Sequence, residues 1–138
     1  MNLDTARTTV IAALARMDSL YNKAVFDEWV LFKLASEKGV ILAYSGPRAD
    51  SYQKKFKEDI VPLRTELEQR KLAVGDFAFV DDAASTQFDA CIRLGPAAYL
   101  FCNHTEKTME QIRANPLWRE AQTPFAKLSQ MFGADPLE

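Results

Sequence analysis

A chain of 138 residues, 48% of them hydrophobic and 26% charged, fits a single globular domain over residues 1–138 built around one core. Its formal charge of -2 gives no long-range attraction to a phosphate backbone, which argues against DNA or RNA as a partner. No window reaches the apolar length of a membrane span, Arg16 and Asp18 interrupt any signal-type core near the start, and two cysteines fit a reducing compartment; the expected location is cytoplasmic, with no membrane partner.

Leu3, Val10, Leu14, Met17 and Tyr21 recur at helical spacing, which predicts an amphipathic first helix. The period then changes. Phe26, Val30, Phe32 and Leu34 share one parity while Trp29 and Leu31 make the other side apolar, as expected of a strand covered on both faces. Ser36-Glu37-Lys38-Gly39 supplies turn chemistry, and Val40 to Tyr44 is the returning strand of a hairpin that Gly46-Pro47 stops. Asp50 and Gln53 resemble a capping box, after which Tyr52, Phe56, Ile60, Leu63 and Leu67 form the stripe of a long second helix with Pro62 inside it. Three strands are expected next, at Phe77–Val80, Phe88–Leu94 and Ala97–Cys102, the last two joined at Gly95-Pro96. Helical spacing resumes at Thr105. Asn115-Pro116 and Thr123-Pro124 each place a capping residue before a proline, so the tail is expected to run as short helical pieces that keep Trp118, Ala121, Phe125, Leu128 and Phe132 on one face, with Gly133 as a stop.

The succession α-β-β-α-β-β-β-α, with an extra C-terminal helical tail, predicts an α+β fold. It resembles the profilin-like arrangement of the roadblock/dynein light chain superfamily, over residues 3–115, with residues 116–138 as a helical tail packed on that core. Gly39-Val40-Ile41-Leu42-Ala43-Tyr44-Ser45-Gly46 looks like the second strand of such domains. Where typical members carry a glycine-valine pair entering the first strand, this chain has Ala24-Val25-Phe26-Asp27-Glu28-Trp29, which marks a divergent branch. The resemblance implies a five-stranded antiparallel sheet packed between one long helix and the two terminal ones. It also implies a non-enzymatic scaffold or regulator, commonly a homodimer, working beside a small GTPase or as a subunit of a larger complex. On the same basis the dimer seam would combine the strand at Phe77 and Phe79 with the long helix at Tyr52 and Phe56. A rival of another class is a small-ligand sensor with an apolar pocket between sheet and helix.

Residues with chemical potential are few. Cys91, Cys102, His104 and Asp89 lack the paired spacing of a structural zinc site, so no metal and no cofactor is expected. A two-residue loop at Gly95-Pro96 would pair Cys91 with Leu100 and put Cys102 on the same face as Cys91. Cys102 and His104, two apart, have no identifiable orienting partner for nucleophilic work. Asp81-Asp82 reads as a strand terminator, whereas Glu28 falls on a face that a regular strand would bury. Arg48, Lys54 and Lys55 cluster at the start of the long helix, where basic groups and free amides could hold an anion.

Overall fold

The computed structural model describes residues 1–22, 24–34, 39–46, 65, 67–79, 90–103 and 114–135. Helix α1 spans Leu3–Tyr21; strands β1 to β5 span Glu28–Leu34, Gly39–Ser45, Phe77–Phe79, Ala90–Arg93 and Ala98–Asn103; helices α2 and α3 span Trp118–Ala121 and Thr123–Ala134. Thr65 and residues 67–70 are also helical. The rest of the expected long helix, including Tyr52, Phe56 and Pro62, and the helix expected from Thr105, lie outside the described residues.

Asn2 starts α1 by accepting the Thr5 amide on Oδ1 at 2.8 Å, which satisfies one of the first-turn donors that a helix leaves open. At the other end Asn22 takes a left-handed φ of 55°, a conformation asparagine tolerates, and its amide donates back to Ser19 O at 3.3 Å. Val10, Leu14, Met17 and Tyr21 are buried, as their spacing predicts, while Leu3 is 45% exposed.

The architecture is α+β, with an antiparallel sheet and helices. The strand order is β2-β1-β5-β4-β3, so the chain makes the β1–β2 hairpin, crosses to lay down β3 and β4, and inserts β5 between β4 and β1. β5 is buried along its whole length and β1 over Glu28 to Phe32, which is why both read as continuous apolar runs. β1 begins at Glu28, later than the apolar run. Val25 and Phe26 belong to an irregular approach in which the Val25 amide donates to Asp18 Oδ1 at 2.8 Å and the Asp27 amide to Asn103 O at 3.0 Å. Phe26 therefore packs with Trp29 and Leu31, on the face opposite Val30 and Phe32, against the parity expected of a continuous strand.

Two clusters of buried side chains lie on opposite faces of the sheet. On one face α1, α2 and α3 cover Trp29, Leu31, Ile92, Leu100 and Cys102, with Trp118, Ala121, Phe125, Leu128 and Phe132 all buried as the tail spacing predicts. On the other, Val30, Phe32, Cys91, Tyr99 and Phe101 pack with Leu67. The caps of the tail differ from expectation. Asn115 makes a turn, its Oδ1 accepting the Leu117 amide at 2.9 Å, and α2 starts only at Trp118. Gln122 occupies the cap position of α3 and Thr123 is already helical, with Pro124 in the first turn, where its missing N–H costs nothing. Gly133 lies inside α3 and does not end it.

Candidate functional site

β2 and β3 are the outer strands of the sheet. β2 has seven uncharged residues, but its register slips between Leu31/Ala43 and Phe32/Ile41, leaving Leu42 as an extra residue. Leu42 and Ala43 consequently both pack toward the terminal-helix cluster, while Ile41 packs on the other face. A bulge of this kind bends an edge and spoils it as a template for another strand. β3 is shorter but regular, pairing Phe77 with Ile92, Ala78 with Cys91 and Phe79 with Ala90. Among the described residues no strand pairs with the outer side of β3. Phe77 and Phe79 thus occupy register positions opposite Ile92 and Ala90, residues of the terminal-helix cluster. Tyr52 and Phe56, the other expected seam residues, and the expected anion cluster of Arg48, Lys54 and Lys55 lie outside the described residues.

On the inner strands of the sheet, Glu28 starts β1 directly across from Asn103, the last residue of β5. Glu28 is 1% exposed and Asn103 4%, and Asn103 Nδ2 donates to Glu28 Oε2 at 3.2 Å. The strand-end position does not bring this carboxylate to water. Burying a carboxylate is costly unless donors face it, so this corner is held by specific geometry. Gly46 is part of that geometry: its φ is +125°, and a Cβ there would stand 2.8 Å from Asp27 O and from Glu28 Cα. The glycine that reads as a hairpin stop is required because β1 passes too close for any side chain.

The cysteines correct the expected register. The β4–β5 turn is longer than two residues: Leu94 and Gly95 both donate to Ala98 O, and Cys91 pairs with Phe101 while Ala90 pairs with Cys102. One residue of register moves every side chain to the other face. Cys91 accordingly lies in the aromatic cluster and Cys102 in the terminal-helix cluster, so the two cannot share a ligand. Burial, and secondarily the neighbouring Cys91, pushes the Cys102 thiol well above its ordinary range, so it stays protonated at neutral pH. His104, Asp89 and Asp81-Asp82 lie outside the described residues; among those described, no group of three potential metal ligands converges.

Sequence reading missed Arg93, which appeared only as one of two charged residues, with Asp89, in the strand expected at Phe88–Leu94. Its guanidinium stands 5.9 Å from the ring centroid of Tyr99 and donates to three backbone carbonyls. Burial raises the Tyr99 phenol, with the Arg93 charge pulling the other way. The only advance signal was the Leu94-Gly95-Pro96 turn directly after it, since turns leave carbonyls in need of donors.

No helix among the described residues is long and apolar enough to cross a membrane. Neither a protein-family model, nor a curated protein, nor a solved structure matches the chain.

Proposed function

We propose that this chain is a non-enzymatic protein-interaction module on a profilin-like sheet, acting as a homodimer joined through the β3 edge. The observation that carries this reading is the contrast between the outer strands. β2 is bulged, whereas β3 keeps a regular ladder on β4 and has no strand on its outer side among the described residues. Regular edges left open invite pairing, and a second copy related by a two-fold axis removes the hazard for both chains at once. Terminal helices on one face and Leu67 from a helical turn on the other also fit the layering of the family it resembles. Three residues of β3 pair too weakly to hold a dimer alone, so Tyr52 and Phe56 of the expected long helix would supply the apolar area. A further protein partner, such as a small GTPase or a complex subunit, rests on the resemblance alone.

Solution mass by light scattering tests the proposal. The chain is expected to run as a dimer that dissociates on dilution, and Phe79→Lys is expected to give a monomer with an unchanged circular dichroism spectrum. A parent protein monomeric at every concentration, or a Phe79→Lys variant that keeps its dimer mass, sinks the β3 seam. An absorbance scan across the same peak distinguishes the ligand-sensor rival, which predicts a co-purifying chromophore.

A further inference from the structure

The segment that delivers the chain to β3 is conformationally expensive. Lys71, directly after the helical turn at 67–70, has φ +49°, and Gly75 has φ +95°. A lysine in the left-handed region is strained, and a glycine loses much chain entropy when it is ordered. Part of the segment is held by its own turn: Asp76 donates to Ala73 O at 3.0 Å, and the Asp76 carboxylate accepts the Ala73 amide at 3.2 Å. Leu72 packs against the aromatic cluster, and two backbone bonds tie the segment to one residue of β4. The Gly75 amide donates to Arg93 O at 2.7 Å and the Arg93 amide to Asp76 O at 3.2 Å.

The Arg93 side chain then closes over the same segment. Nη1 donates to Leu72 O at 2.6 Å, Nη2 to Pro96 O at 2.7 Å, and Nε to Gly95 O at 3.2 Å. The guanidinium fork thus bridges the approach to β3 and the β4–β5 turn, with the half-buried stem beside the Tyr99 ring. Charge-assisted bonds to carbonyls are among the stronger ones, and a planar fork can satisfy three carbonyls at once where an ammonium group cannot hold the same geometry.

We infer that Arg93 is the positioning residue of the β3 edge: its clamp on Leu72, Gly95 and Pro96 sets where β3 lies on β4, and so whether a second copy of this chain can pair with it. The inference deepens the dimer reading and rests on it only in its last step. Arg93 acts through the backbone that it holds.

Hydrogen exchange and solution mass, measured on the parent chain, Arg93→Lys and Arg93→Met, separate the two steps. The Gly75 amide points inward to β4 and reports the clamp whatever the oligomeric state. Leu31, in the buried β1, reports global opening. Exchange at Gly75 relative to Leu31 is expected to rise about tenfold or more in Arg93→Met, as loss of charge-assisted hydrogen bonds predicts, and by less in Arg93→Lys. The dimer is expected to dissociate at correspondingly higher concentration. Unchanged relative exchange at Gly75 in both variants overturns the clamp, and so does an equal rise at Gly75 and Leu31, which marks general destabilisation. Faster Gly75 exchange with an unchanged dimer upholds the clamp and instead rejects β3 as the seam.

Discussion

β5 shows both faces of the sheet in one strand. Ala98, Leu100 and Cys102 point to the terminal helices and meet the aliphatic and small residues of α1, among them Ala6, Val10 and Met17. Tyr99, Phe101 and Asn103 point the other way, where Phe32 meets Phe101 edge-on at 5.9 Å, Tyr99 stacks on Phe101 at 6.4 Å, and polar groups close both ends: Arg93 beside Tyr99, Glu28 beside Asn103. The first face is mostly aliphatic and small side chains, and packing of that kind tolerates exchange of one apolar residue for another. The second needs directional contacts at its rim, so its geometry is specified more narrowly. A module that presents a defined edge gains from having that edge anchored to the narrowly specified face, and Arg93 is where the two meet.

Truncating the centre of each face is the strongest test of this contrast. Phe125→Ala on the terminal-helix face and Phe101→Ala on the aromatic face should each cost about 3–5 kcal/mol in urea unfolding. Phe101→Ala also removes its ring pairs with Phe32 and Tyr99. Equal losses that vanish when neighbouring residues are enlarged would mean that both faces are held by area alone.

A smaller effect is expected at the polar rim. Gly46→Ala should destabilise by about 1–3 kcal/mol, since it forces a side chain into a left-handed backbone and against β1. In a Glu28→Ala background the same substitution should cost less, because one of the groups it collides with is gone. Full additivity of the two changes would show that Gly46 does not act through the Glu28 corner.

Least in size is Asp18, on α1 and outside both clusters. Its half-buried carboxylate accepts the Val25 amide, and burial raises its pKa above 3.8 against the lowering effect of that bond. A carboxyl raised in the folded state contributes stability that is present below its unfolded pKa and is lost as pH climbs through the folded one. Asp18→Asn keeps an oxygen for Val25 and carries no charge, so it should match the parent at pH below 3.8 and become slightly more stable as pH rises. A gap that does not change with pH would place the cost elsewhere.

The elements with strong periodicity were legible beforehand. α1, the β1–β2 hairpin and the apolar face from Trp118 to Phe132 follow from spacing, because burial on one side of a regular element repeats with that element's period. Boundaries were less legible. Asn115 and Gly133 carry the right chemistry for a cap and a stop, yet both are overruled by the packing of Trp118 and Phe132 into the core. At the candidate edge the residues of β3 were placed correctly in order. Arg93 was not recognisable, since one arginine in a strand says nothing of which carbonyls it will reach.

By itself the sequence determined the α+β class, a first strand apolar on both sides, and a tail that supplies core, because composition and period act locally. Only the tertiary structure decided the strand order, the one-residue register that sends Cys91 and Cys102 to opposite faces, and the burial of Glu28 against Asn103. Those outcomes depend on turn length and on contacts between residues up to 75 positions apart, and neither is a property of any local stretch of chain.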